Sequence, residues 1–247
     1  MHDRSLAAFR PYGPDHLAVL ALLLAGALLL IRNTTWIRRI NDDCPVRYAL
    51  AAALLINGAA SWICALHQGF VLVPLHFCDF ALLFVVWALL FGGPRYVKEL
   101  AFFWGLAGSS QAVFTPDLYQ RFPDCSWIVF FFGHGGVILS AIYLAARGSL
   151  ELSGASVWRA WLGLSPYAAF AGLVNWGFGT NFGYLARKPG HPSVLDYLGP
   201  WPFYILGCGV IAAGLFSLCY VFWLLTEQMA DNDVVRGSRA SKKDRPI

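Results

Sequence analysis

Charged residues are scarce in this chain. Asp, Glu, Lys and Arg make up 13% of its 247 residues, whereas hydrophobic residues make up 58%. The mean hydropathy is +0.57. A water-soluble domain carries about a quarter charged residues, so this deficit excludes a soluble protein. The composition predicts an integral membrane protein with a single domain.

The sequence also lacks the motifs of a zinc site or a disulfide scaffold. Its six cysteines are irregularly spaced, without a CxxC pair, and there is no HExxH segment. We therefore predict no cofactor, and we expect most cysteines to be small buried hydrophobic residues. The sequence shows no internal repeat. No clear cleavage site follows the first apolar run, Leu17–Ile31, which we interpret as a retained helix.

The apolar runs predict an all-α polytopic bundle of about seven transmembrane helices, since each span needs about 20 residues. The predicted spans are 16–31, 48–66, 71–91, 97–113, 127–146, 157–176 and 201–226. Six or eight spans stay possible, because the first run is short and the fourth contains Gly105 and Gly108. These spans form one domain over 1–226, and a polar tail, 227–247, is expected to be disordered and cytoplasmic.

The distribution of basic residues predicts the orientation of the chain. With seven spans, 13 of the 18 Lys and Arg residues fall on one side of the membrane and 5 on the other. The richer side is cytoplasmic by the positive-inside rule, which places the N-terminus outside. We expect a multi-pass protein of the cell membrane, in a bacterium the inner membrane. The net charge of +4 therefore reports topology, and no nucleic-acid partner is predicted.

The third predicted span concentrates unusual residues. It reads VLVPLHFCDFALLFVVWALLF and holds Pro74, His76, Cys78 and Asp79 in its first third. Titratable groups at membrane depth are costly and are functional by default. Pro74 suits the start of a helix, which would place Cys78 near the helix N-terminus, where a nucleophilic thiolate is stabilised.

Most other intramembrane polar groups are predicted at the same outer level, where they could line one cavity. They are His134, in the segment GHGG, with Gln111, Asn175 and Asn181. The three amides are candidate donors to an oxyanion, although hydrogen bonding between helices is their more ordinary role. Arg187 and Lys188, in an outer loop, are candidate contacts for a lipid phosphate.

Helical periodicity leaves two arrangements open for the third span. His76 and Cys78 lie about 200° apart on a regular helix, whereas His76 and Asp79 share a face. Either His76 and Asp79 face the cavity, or Cys78 faces it and takes its base from another helix. We favour Cys78 with His134, because the glycines beside His134 leave room for a substrate or a close helix. His76 or Asp79 would then orient the base or brace the helix.

Two other functions remain open on the residues alone. His76, Cys78, Asp79 and His134 are all competent zinc ligands, so a zinc-dependent lipid hydrolase is one alternative. A transporter or receptor with an outer polar pocket is the other, although it would more typically show matched repeats or broken helices. The oligomeric state is not predicted.

Three segments together resemble a known family. They are PLHFCD at Pro74–Asp79, the helix with His134, and GTNFGYLARKP followed by SVLDYLGPWPFYI. The chain resembles, from about Tyr48 to Trp223, the YwaF-type integral membrane proteins, bacterial relatives of the transmembrane protein 164 acyltransferase family.

The resemblance implies a membrane enzyme that handles fatty-acyl groups of phospholipids with a cysteine and a histidine, here Cys78 and His134. Combined with the reading of the residues, it predicts acyl transfer or hydrolysis through an acyl-cysteine. The expected substrate is a membrane phospholipid, bound in a cavity that opens to the outer leaflet.

Overall fold

The computed structural model describes residues 8–190 and 193–243, with side chains described up to residue 232. Within these residues the chain is helical and forms no strand. The helices are α1 Pro14–Arg32, α2 Thr34–Arg38, α3 Cys44–His67, α4 Phe77–Phe91, α5 Arg95–Phe103, α6 Ser109–Phe114, α7 Cys125–Ala146, α8 Gly154–Leu162, α9 Leu164–Phe178 and α10 Phe203–Lys243. A π turn, Trp104–Gly108, joins α5 to α6, and Phe182–Tyr184 and Val194–Leu198 form 3-10 turns.

Four of these helices are long and apolar enough to cross a membrane. They are α1, α3, α7 and the Phe203–Asn232 part of α10. Helix α4 is apolar but shorter, and the remaining predicted spans are interrupted, by the π turn between α5 and α6 and by Gly163 between α8 and α9. The chain is therefore a multi-pass helical membrane protein.

The C-terminal helix extends beyond the last predicted span. Helix α10 continues to Lys243, through most of the 227–247 segment for which the sequence predicted disorder. At the base of this extension, Arg38 donates a hydrogen bond to Glu227 at 2.6 Å and another to the carbonyl oxygen of Ala146. The extension is thus tied to α2 and α7. Residues 244–247 lie outside the described part of the chain.

Helix α7 is the centre of the bundle, and the glycines around His134 let its neighbours approach. A Cβ atom at Gly133 would lie 2.6 Å from the Asn57 amide, and one at Gly135 would lie 2.6 Å from the Leu23 side chain. Close approach at small residues is how helices associate in lipid. The GHGG segment therefore serves helix packing against α1 and α3.

The two ends of the bundle differ in chemistry. At one end Asp43 forms ion pairs with Arg47 and Arg147, and the buried Glu99 forms ion pairs with Arg95 and Arg159. At the other end a disulfide joins Cys64, near the end of α3, to Cys125, at the start of α7. This disulfide, which the sequence did not predict, fixes the start of α7 beside the segment that leads into α4.

Candidate active site

Helix α4 begins later than Pro74, and this changes the geometry of its polar residues. His76 is the N-cap, with an extended backbone at φ −70° and ψ 158°. Its N–H donates to Asp79 Oδ2 at 2.8 Å, so Asp79 braces the start of the helix. Because His76 precedes the helix, the 200° separation from Cys78 does not apply. Both His76 and Cys78 line one cavity.

This cavity has a volume of about 440 Å³ and lies between the start of α4, α6, the start of α9, the loop after α9 and α10. Its mouth is polar, and the exposed residues Gln111, Thr115 and Asp117 lie there. Its inner part is apolar, with Ile205, Ile211, Ala212, Leu215 and Phe216 of α10 along one wall. Cys78, a free cysteine, lines the cavity from the first turn of α4.

Asp117 and Tyr184 are residues of the mouth that sequence reasoning missed. The Tyr184 hydroxyl donates to Asp117 Oδ2 at 2.5 Å, and the Tyr184 carbonyl oxygen accepts from the Tyr204 hydroxyl. Burial and the Asp117 carboxylate raise the pKa of Tyr184, so its hydroxyl remains a donor at neutral pH. The His76 ring packs edge-on against Phe182 at 5.3 Å between centroids. Tyr184 lies in the NFGYLARKP segment, which is part of the family resemblance, and this segment was the sequence signal that could have identified Tyr184.

Asn175 and Asn181 hold the loop after α9 in place. Asn175 Oδ1 accepts from the Phe182 N–H at 2.7 Å and from the Thr180 hydroxyl at 2.9 Å, and its Nδ2 donates to the Phe182 carbonyl. Asn181 binds the backbone of residues 186 and 187 in the same way. Both amide groups are therefore engaged by the loop, and neither residue lines the cavity. Of the three predicted oxyanion donors, Gln111 alone does.

Arg187 and Lys188 lie on the same loop, away from the cavity wall. Arg187 is exposed. The Lys188 ammonium lies 3.9 Å from Asp196 and 5.6 Å from the centre of the Tyr204 ring. Contact with a lipid phosphate stays a prediction for both residues.

His134 does not line the cavity, and its ring is held in one orientation. Its Nδ1 lies 2.8 Å from the Phe130 carbonyl oxygen. A carbonyl can only accept, so Nδ1 carries the hydrogen of the neutral ring and Nε2 keeps its lone pair. The ring packs on Phe130 at 4.2 Å between centroids, which fixes its orientation.

The helix register relates Cys78 to His134. A Cβ atom at Gly105 of the π turn would lie 2.9 Å from Val85 of α4 and 3.7 Å from Ala141 of α7. Cys78 precedes Val85 by seven residues, and His134 precedes Ala141 by seven. Seven residues are two helical turns, about 10 Å, and return to nearly the same face. By this register Cys78 and His134 lie at a similar level, each two turns before the contact with Gly105.

The described residues offer one group of three possible metal ligands. These are Asp42, Asp43 and Cys44, at the opposite end of the bundle from Cys78. Asp42 is exposed, and hydrogen bonds from Cys44 lower its pKa. His76, Cys78, Asp79 and His134 do not come together as such a group in the described part of the chain.

These features define a multi-pass helical membrane protein with a cavity whose wall includes a free thiol. A family model described as the TMEM164 family matches residues 11–220. The chain belongs to this family. The resemblance drawn from the PLHFCD segment is confirmed at that level, while the YwaF-type designation stays a prediction. No match was found among curated proteins or among solved structures.

Proposed function

We propose that this protein transfers or hydrolyses fatty-acyl groups of phospholipids through an acyl thioester on Cys78. The observation that carries the proposal is the free Cys78 thiol in the wall of a cavity that is lined both by polar residues, Gln111, Thr115 and Asp117, and by an apolar face of α10. A phospholipid has the same division, because its ester groups join a polar headgroup to apolar chains.

The start of α4 favours Cys78 as the nucleophile. Cys78 is the second residue of a 15-residue helix. Partial positive charge at a helix N-terminus stabilises the negative charge that develops on a nearby atom during reaction. Cys208, also free and in the same cavity, lies within α10 and lacks this advantage.

The proposed reaction has two halves. Cys78 Sγ attacks the ester carbonyl carbon while His134 Nε2 accepts the thiol proton. The bond from the acyl carbon to the glycerol oxygen then breaks, and His134 returns the proton to that oxygen. In the second half His134 takes a proton from an acceptor hydroxyl, whose oxygen attacks the thioester carbon. The bond from the acyl carbon to Sγ then breaks, and His134 returns the proton to Sγ, which restores the Cys78 thiol. Water as the acceptor gives hydrolysis.

Gln111 is the proposed donor to the oxyanion of each tetrahedral intermediate. It is the predicted amide donor that lines the cavity with Cys78. An amide N–H directed at the developing negative charge lowers the barrier to both halves of the reaction.

His76 is the competing base, and a specific observation favours it. It shares the cavity wall with Cys78, which His134 does not. We assign the base to His134 because its tautomer leaves Nε2 free and its register brings it to the level of Cys78. His76 is assigned to the polar mouth, where it lies between Phe182 and Tyr184.

We further propose seven spans with the N-terminus outside and a location in the cell membrane, the inner membrane in a bacterium. Two independent features support this orientation. Among the residues whose side chains are described, eight basic residues lie at the end that carries the Asp43 and Glu99 ion pairs: Arg32, Arg38, Arg39, Arg47, Arg95, Lys98, Arg147 and Arg159. A disulfide at the opposite end fits an oxidising compartment. The mouth of the cavity then lies in the outer leaflet.

Intact-mass spectrometry tests the chemistry directly. The purified protein is incubated with mixed phospholipids, and the parent is compared with Cys78→Ala, His134→Ala and His76→Ala, with Cys208→Ala as the matched thiol control. We expect a hydroxylamine-labile acyl adduct on the parent and on Cys208→Ala, which is absent from Cys78→Ala and strongly reduced in His134→Ala.

Other outcomes redirect the assignment. An adduct lost in His76→Ala and retained in His134→Ala would transfer the role of base to His76. A Cys78→Ser protein that turns over lipid at the parent rate would rule out the thioester. No adduct together with stoichiometric zinc would indicate a metal hydrolase, and no adduct without zinc would indicate a receptor or transporter.

A further inference from the structure

The apolar wall of the cavity is a stripe along one face of α10. Ile205, Cys208, Ala212 and Phe216 recur every three or four residues and line the cavity. The opposite face points away from the protein, with Leu206, Val210 and Leu218 exposed by 70%, 73% and 67%. One face of α10 therefore bounds the cavity while the other meets the surrounding lipid.

The length of this stripe matches one leaflet of a bilayer. From Ile205 to Phe216 the helix rises 11 residues, about 16 Å at 1.5 Å per residue. The hydrocarbon core of a bilayer is about 30 Å thick, so one leaflet contributes about 15 Å. A cavity of about 440 Å³ that follows α10 over this distance has the dimensions of a single acyl chain.

Phe216 closes the inner end of the cavity. Its side chain is 2% exposed, and its ring packs against Phe103 at 5.6 Å between centroids. Phe103 is itself fully buried. Beside the cavity, Trp161 Nε1 donates to the Gly209 carbonyl oxygen at 2.8 Å, which ties the end of α8 to α10. The inner end is therefore a packed wall.

We propose that this pocket holds one acyl chain of a membrane phospholipid and that Phe216 sets the longest chain it accepts. The inference rests on the proposed function for the identity of the ligand. The inference adds a residue that selects chain length. The reacting ester next to Cys78 fixes one end of the acyl chain, and the ring of Phe216 limits how far the other end can extend.

Two substitutions move the closed end in opposite directions. Phe216→Ala opens the inner end and admits longer chains. Gly209→Leu projects a side chain into the cavity, where a Cβ atom meets nothing within 4 Å, and leaves room only for shorter chains. Each methylene gained or lost from the pocket changes affinity by about fourfold, so two methylenes change it by about fifteenfold.

The chain offers matched controls on the lipid-facing side of the same helix. Phe203→Ala removes the same atoms from a side chain that is 63% exposed and does not line the cavity. Gly214→Leu adds a side chain at an exposed glycine with open space around it. Neither control should alter the distribution of retained chains.

The experiment uses native mass spectrometry of the full-length protein in the Cys78→Ala background, which removes turnover. The protein is incubated with an equimolar series of lysophospholipids that differ only in acyl-chain length, and a parallel series of free fatty acids tests the alternative source. We expect the distribution of retained lysophospholipids to shift towards longer chains in Phe216→Ala and towards shorter chains in Gly209→Leu.

Three results would overturn the proposal: no retained lysophospholipid in any protein, retained chains whose lengths are the same in all variants, or retention of free fatty acids alone. Gly209→Leu keeps the test decisive where Phe216→Ala fails to fold, because it leaves the core contact with Phe103 intact. A shift in chain length without an acyl adduct on Cys78 in the otherwise native protein would refute the proposed chemistry and retain the inference.

Discussion

Replacing Asn175 with alanine separates a structural role from a catalytic one. The side chain is 4% exposed and makes three hydrogen bonds to residues 180 and 182. Each contributes about 0.5–1.5 kcal/mol net, so their loss weakens the loop after α9 by about 1.5–4.5 kcal/mol. This loop carries Tyr184 and part of the cavity wall.

Two measurements follow the consequence. Hydrogen exchange of the backbone over residues 179–190 should accelerate by at least tenfold in Asn175→Ala, since about 1.4 kcal/mol corresponds to a factor of ten. The rate of acyl-adduct formation at saturating lipid should fall much less, while the lipid concentration needed for half-saturation rises. Asn57→Ala, a change in an amide that binds the Val129 carbonyl away from the loop, is the control.

A different pattern would refute this reasoning. Loss of a donor to an oxyanion costs about two to three orders of magnitude in the chemical step. If adduct formation at saturating lipid falls that far while loop exchange stays at the parent rate, Asn175 is a catalytic donor and its bonds to the loop are incidental.

Three further predictions concern the loop after α9, the disulfide and the ion pairs of Glu99. Tyr184→Phe should raise the half-saturating lipid concentration at pH 7 by about tenfold, since a hydrogen bond to a charged group contributes about 1.5–3 kcal/mol. Because the pKa of Tyr184 is raised, the parent should keep this bond at neutral pH and lose it only as the phenol ionises in strongly alkaline solution. If the half-saturating lipid concentration depends on pH in the same way in parent and variant above pH 10, this prediction is contradicted. Cys64→Ser should lower the melting temperature, since a disulfide with a sequence separation of 61 residues contributes about 4 kcal/mol in the chain-entropy description. A parent protein whose melting temperature does not change when reductant is added would contradict this prediction. Glu99→Ala should cost about 1.5–3 kcal/mol, because it removes the hydrogen bonds of the carboxylate to Ser156 and Arg159 while the partly exposed arginine regains water, and chemical unfolding of this variant, with Glu151→Ala as control, measures it.

The sequence predicted the helices well where apolar runs are long and uninterrupted. Helices α1, α3 and α7 match their predicted spans to within a few residues. The start of α4 was misplaced, because Pro74 fits a first helical position but His76 and Asp79 form the cap instead. Pro74 and the contact between His76 and Asp79 are two alternative signals for the start of the helix. The pattern of apolar residues does not show which of them prevails.

The candidate site was predicted in part. The sequence indicated that polar groups meet at one level, and Cys78, His76 and Gln111 do share a cavity. It did not reveal that Asn175 and Asn181 bind the loop backbone, because the fold of a loop sets such bonds. Asp117 was missed for a similar reason, since it lies beyond the end of α6 and reaches the mouth through its bond with Tyr184.

The π turn at Trp104–Gly108 holds one residue more than a regular helical turn. Deletion of Ala107 would therefore convert the turn to ordinary helix and leave α5 and α6 on the faces they now occupy, so Gln111 would stay in the cavity wall. The same deletion in the middle of α7, which is regular helix throughout, would rotate its later residues by about 100° relative to the earlier ones. A change of one residue in chain length is thus tolerated at this point of the bundle, and the cavity wall is insulated from it.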